Sequence, residues 1–136
     1  RYMNKISGPL LDRIDIQIEV TPVKYKKLDS DENIETSKDI KNRVDKARQI
    51  QRDRYKEEKI YSNSQLTPKL IEKYCKLDKK TEDFLALAAQ KFQLSGRKYS
   101  RILKLARTIA DLGGRENISL EDITQALQYR NEITQE

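Results

Sequence analysis

Two arginines stand where a guanidinium could act in phosphate chemistry. Arg13 follows one turn's worth of helix-compatible residues (PLLDR) and immediately precedes a strand-like pattern, so its side chain would leave from the end of an element at a sheet edge. Held rigidly there, it could reach the γ-phosphate of a nucleotide on a neighbouring subunit. An arginine supplied in trans stabilises the charge that builds in phosphoryl transfer, with an effect of roughly 10³–10⁵ in rate. Arg97 falls in the first turn of a second predicted helix, where the macrodipole disfavours a cation. Its guanidinium can join the free backbone N–H groups there around an anion. The plainer reading of each is a solvated surface arginine, with Arg13 paired to Asp12 or Asp15.

Other catalytic constellations are missing from the sequence. The chain has no histidine, which excludes histidine acid–base chemistry, Ser–His and Cys–His nucleophiles and most transition-metal sites. Cys75 is the single cysteine, so no internal disulfide can form, and its place in a short apolar run reads as a core position. No G-x-x-x-x-G-K-[ST] phosphate loop occurs, nor an apolar strand ending in paired acids that could hold magnesium. No nucleotide is expected to bind this chain in the phosphate-loop manner. The cysteine usage fits a reducing, cytoplasmic setting, and no signal peptide or membrane span is visible. A net charge of +6 and a pI near 9.3 favour an anionic partner, although lysine-rich chains are often basic without one.

The elements that would position these arginines are mostly helices. Ser95 is placed to cap a helix that Gly113 and Gly114 close with a left-handed turn. Along it Ile102, Leu103, Leu105, Ala106, Ile109, Ala110 and Leu112 make a broad apolar face, while Arg97, Lys98, Arg101, Lys104 and Arg107 project elsewhere. Thr36 or Ser37 starts a long basic helix reaching about Lys59, with a thin apolar stripe of Ile40, Val44, Ala47 and Ile50. Thr67-Pro68, Asp78 and Ser119 (the last with Asp122 as a capping box) mark three further starts. Their apolar faces are Leu70, Ile71, Tyr74 and Cys75; then Phe84, Leu85, Leu87, Ala88 and Phe92; then Leu120, Ile123, Ala126 and Leu127. Helices of this length with short joints predict a compact bundle.

One segment does not fit a bundle. In IDIQIEV, residues 14–20, isoleucines and a valine alternate with Asp15, Gln17 and Glu19, and Pro22 ends the run. Nothing later alternates in the same way. A lone strand leaves backbone groups unpaired and an isoleucine face uncovered. The sequence is therefore expected to be the C-terminal part of a larger α/β protein.

Three stretches together carry a family resemblance: SGPLLDRIDIQIEV (residues 7–20), LSGRKYSRILKLARTIADL (residues 94–112) and ISLEDITQALQYR (residues 118–130). The chain resembles the C-terminal part of the Mg-chelatase-like AAA+ ATPases, the ComM/YifB group. The resemblance implies a mainly α fold: a helical lid preceded by an orphan β-strand from the ATPase core. Residues 1–24 would be the core's last turn and strand, 25–35 a linker, and 36–136 the lid. It implies that Arg13 is an arginine finger acting in trans, that Asp12 orients it, and that Arg97 is the sensor-2 arginine contacting the γ-phosphate region. It further implies ATP and Mg²⁺ as ligands of the full-length protein, identical subunits in a ring, expected to be a hexamer, and DNA processing linked to competence. Lys5 departs from the arginine expected there. The alternative from a different class is a stand-alone basic helical module that binds nucleic acid without an ATPase, which would have no use for IDIQIEV. A protein-interaction bundle is a third class.

Overall fold

The computed structural model describes residues 5–22 and 34–130. Every helix in it begins on a residue whose side-chain oxygen accepts the backbone N–H three positions on, relieving one of the free donors of a first turn. Ser7 caps α1 (Gly8–Leu11), Thr36 caps α2 (Ser37–Tyr55), and Thr67 caps α3 (Pro68–Tyr74). Asp78 caps α4 (Lys79–Lys91), Ser95 caps α5 (Gly96–Leu112), and Ser119 caps α6 (Leu120–Gln128). Thr36 with Asp39, and Ser119 with Asp122, close reciprocal capping boxes. A single 3₁₀ turn, Asn63–Gln65, interrupts the passage from α2 to α3.

The fold is the mainly helical bundle expected. α5 is its axis, packing against α6, α2, α3 and the 3₁₀ turn, and α4 closes over α6. The core gathers Tyr55, Leu66, Ile71, Cys75, Leu85, Ile102, Leu103, Ala106, Ala110, Ile118, Ile123 and Leu127. At the far end of α5 Gly114 takes φ 67°, the left-handed conformation that a side chain would strain, whereas Gly113 stays at φ −83°.

Three expectations need correcting. The orphan strand is not seen: among the described residues no strand forms, because none of them offers residues 14–20 a partner ladder. That segment is instead irregular and lies against the end of α6, where Gln17 N donates to the Tyr129 carbonyl at 2.7 Å and Arg130 Nη1 to the Ile14 carbonyl at 3.2 Å. Its apolar side chains stay outside, from Ile16 at 51% exposed to Val20 at 82%. Secondly, α2 buries only Ala47 of its predicted stripe. Ile40, Val44 and Ile50 are exposed, and the helix is held by Ala47, Gln51 and Tyr55 near its C-terminal end, which comes at Tyr55 rather than Lys59. Thirdly, Arg107 is buried at 3% exposure instead of projecting from α5. The proposed linker, residues 25–35, lies outside the described residues except for Ile34 and Glu35, as do residues 1–4, 23–24 and 131–136 of the flanking divisions.

Candidate functional site

Ser95 sets the start of α5, and its cap fixes where the helix presents its first basic side chains. Arg97, Arg101, Lys104 and Thr108 follow at steps of four, three and four residues, so they share one face. With Ser100, Leu105, Ser64 of the 3₁₀ turn, and Asp15 and Ile16 of the irregular segment, they line a cavity of about 520 Å³. Lys104 Nζ donates to the Ser64 carbonyl at 3.2 Å, tying this wall to the turn. Arg101 pairs with Asp15, and its Nη1 also donates to the Arg13 carbonyl at 3.0 Å. Arg97 is exposed at the mouth, and its guanidinium has no hydrogen bond or ion pair among the described residues. The cavity is thus a cationic recess along α5, from its first turn to Thr108, with one unengaged guanidinium, an arrangement suited to an anion.

Arg13 sits in the turn after α1 and is exposed, outside the cavity lining. The two acids that might have neutralised it are engaged elsewhere. Asp12 Oδ1 lies 3.2 Å from Lys98 Nζ, and Asp15 pairs with Arg101. Lys98, Arg101 and Arg130 therefore clamp the segment carrying Arg13 by its neighbours and its backbone, while the Arg13 guanidinium has no partner among the described residues. Asp12 touches α5 and not Arg13. The structure brings Arg97 together with Arg101, Lys104 and Asp15 in one cavity, and leaves Arg13 separate from them.

Sequence reasoning assigned no role to Arg101 or Lys104, although their spacing from Arg97 was a usable signal. It also missed a buried polar joint behind the cavity. Arg54 of α2 donates to Asp111 of α5 through both terminal nitrogens, at 3.0 Å and 2.5 Å. Asn63 Nδ2 donates to Asp111 Oδ2 at 2.9 Å and to Thr108 Oγ1 at 2.9 Å, and Tyr55 Oη donates to Asn63 Oδ1 at 2.6 Å. Arg107 Nη2 lies 3.3 Å from Asp111, and Arg107 also donates to the carbonyls of Glu116 and Arg115 at 2.8 Å and 2.9 Å. Burial is the largest single influence on Arg54 and would lower its pKa, but the hydrogen bonds to Asp111 and Tyr55 and the charge of Asp111 together outweigh it and raise it. Arg54 and Asn63 are 57 and 48 residues from Asp111, and the one acid of a helix rich in lysine and arginine gives no hint of them.

The described residues fit the phosphate end of a nucleotide through Arg97, Arg101 and Lys104. They do not fit its metal, since no described group of three His, Cys, Asp or Glu could hold a cation and the one carboxylate in the cavity, Asp15, is already paired.

Comparison with known families places the chain as a whole. The family described as magnesium chelatase, subunit ChlI C-terminal, matches residues 34–130, from the approach to α2 through the end of α6. The chain belongs to the Mg-chelatase-like family. The family's preceding part, magnesium chelatase subunit ChlI, matches residues 1–28, which include Arg13. The chain is similar to the competence protein ComM of Haemophilus influenzae, with 44% identity over 131 residues, covering 96% of this chain and 25% of that protein. It is also similar to the YifB proteins of Salmonella typhimurium and Escherichia coli, at 36% and 35% identity over 132 residues. It spans about a quarter of the length of these relatives and corresponds to their C-terminal region. No helix among the described residues is long and apolar enough to cross a membrane.

Proposed function

We propose that this chain is the lid region, with the end of the core, of a Mg-chelatase-like AAA+ motor ATPase. In this reading residues 1–24 close the core, 25–35 link, and 36–136 form the lid. The observation that carries it is the cavity on α5, where unengaged Arg97 stands at the helix start above Arg101 and Lys104. Arg97 acts as the sensor-2 arginine, bringing positive charge to the γ-phosphate region of ATP bound by its own subunit. Arg13 acts in trans as the finger, stabilising the charge of the transferring phosphoryl group on the neighbour. Asp12 supports Arg13 indirectly, since its pairing with Lys98 holds the finger turn against the lid. ATP and Mg²⁺ are ligands of the full-length protein, with the metal held by residues other than those described here. Identical subunits form a ring, expected to be a hexamer, in the cytoplasm. ComM is named a competence protein, and by that likeness DNA processing is the work to which hydrolysis is coupled.

The test uses the full-length protein. Arg13→Ala is expected to abolish most ATP hydrolysis while leaving nucleotide binding nearly intact, because a finger acts on the neighbour's transition state. Arg97→Ala is expected to impair hydrolysis and also to weaken nucleotide binding. Rings mixed from the two variants can place an intact Arg13, donated by an Arg97→Ala subunit, at a site whose own Arg97 is intact. Activity should then return above either variant alone. If co-assembled mixed rings recover nothing, while wild-type subunits doped into either variant do, the trans assignment fails.

A further inference from the structure

α2 is seated on the bundle only near its C-terminal end, and most of its length stands in solvent. Along it Lys38, Lys41, Asp45, Arg48, Arg52 and Lys56 recur at steps of three or four residues, so they share one face. All six are exposed. Asp45, the lone acid of the stripe, is neutralised by Lys41 at 2.5 Å, and the hydrogen bond from Lys41 holds its carboxyl below the usual carboxylate range. Lys38, Arg48, Arg52 and Lys56 make no ion pair among the described residues. The other acids of this stretch, Asp39, Asp53 and Glu57, fall on a different face. The stripe runs about 27 Å, with cations roughly 6 Å apart where the step is four. This charge segregation is separate from the cavity on α5, whose lining includes no residue of α2.

We propose that this face of α2 is a nucleic-acid contact, in which Arg48, Arg52 and Lys56, assisted by Lys38, track the phosphates of one strand without reading bases. The proposal deepens the DNA-processing reading by naming where the polyanion lies. A repeating line of fixed cations matches a partner with repeating charges, and side chains of this kind position a duplex or strand through its backbone. A lipid surface is the poorer match, because a membrane-seated helix needs bulky apolar or aromatic side chains beside its cations. α2 exposes only three such side chains, Ile40, Val44 and Ile50, each with more than half of its surface still covered, and its single aromatic, Tyr55, is buried.

The experiment measures binding of the 136-residue chain to fluorescent single- and double-stranded oligonucleotides of mixed sequence, across a salt series and without nucleotide. Wild type is expected to bind both with little sequence preference and with strong salt dependence. The triple variant Arg48→Gln, Arg52→Gln, Lys56→Gln should lose at least about tenfold in affinity at low salt, and its slope of log affinity against log salt on duplex should fall by about 3. A control of equal charge loss on α3, α4 and the loop between them, Lys69→Gln, Lys76→Gln, Lys80→Gln, should change the slope by less than about 1. Circular dichroism confirms that both variants remain folded. The proposal is overturned if wild type does not bind at low salt, or if the control weakens binding as much as the stripe variant. It is also overturned if polyglutamate or anionic vesicles bind as tightly and are lost with the same triple variant. None of these outcomes touches the ATPase assignment, which rests on Arg13 and Arg97 in the mixed-ring assay.

Discussion

Asp111 is the buried acid on which Arg54, Asn63 and Arg107 converge, and its removal separates packing from charge. Substituting Asp111→Ala strands Arg54 and Arg107 in the interior without a counter-charge, which costs about 3–5 kcal/mol for a buried pair. Urea denaturation should read that loss, and Arg54→Met in the Asp111→Ala background should cost much less than in wild type, because the interaction it would break is already gone. Cys75 and Tyr55 give a pH signature. Burial pushes the Cys75 thiol up to about 11, and it raises Tyr55 as well. A folded-state pKa above the unfolded one means that folding binds protons more tightly. These two groups therefore contribute fully below the ordinary thiol value of 9.0, and the contribution fades as the pH rises toward about 11. Denaturation midpoints should hold steady up to about pH 8 and drop above it, and Cys75 should resist alkylation in the native state at neutral pH. Rapid native-state labelling would contradict its burial.

The helices differ in how much of the molecule depends on them. Ser119 caps α6 inside the bundle, and its partner Asp122 is buried and also pairs with Arg115. Ser119→Ala should therefore lower global stability by about 1 kcal/mol. Thr36 makes the same capping box at the free end of α2, where no residue from Ser37 to Lys46 is buried. Thr36→Ala should fray the first turns in amide exchange and leave the global midpoint within about 0.3 kcal/mol, since those turns open without the core. The irregular segment, residues 14–20, is clamped rather than paired. Arg130→Gln should loosen it, and the loss of protection at the Gln17 amide, which donates to the Tyr129 carbonyl, is the measurement. If the Gln17 amide stays protected, the backbone bond alone holds the segment.

At the scale of the whole molecule, two properties follow from what the chain exposes. With arginines for a phosphate but no phosphate loop, the 136-residue chain should show no ATP hydrolysis above background and only weak nucleotide affinity. Turnover by this chain alone would overturn the lid reading. The uncovered side chains of Ile16, Ile18 and Val20, on a segment that completes no ladder among the described residues, form a template for association. Light scattering should detect concentration-dependent self-association, which Ile18→Lys with Val20→Lys should suppress.

The local grammar of this protein was legible in its sequence. Ser95, Thr36, Thr67, Asp78 and Ser119 announced the helix starts because capping is a contact between residues three apart. The apolar face of α5 announced the axis of the bundle, because a face that wide must be covered. Arg13 and Arg97 stand out by their motifs and by their places at predicted element ends, and their roles are for the mixed-ring assay to test. Tertiary structure alone decided how the other local patterns are used. Alternation in residues 14–20 specifies a strand only if another backbone completes the ladder, and among the described residues none does. Ile40, Val44 and Ile50 have the period of a buried stripe, yet α2 docks further along through Gln51 and Tyr55, whose polar atoms meet Asn63. Arg107 and Arg54 read as surface charges until the fold closes them around Asp111, because a charge can be buried only where the folded chain supplies its partners.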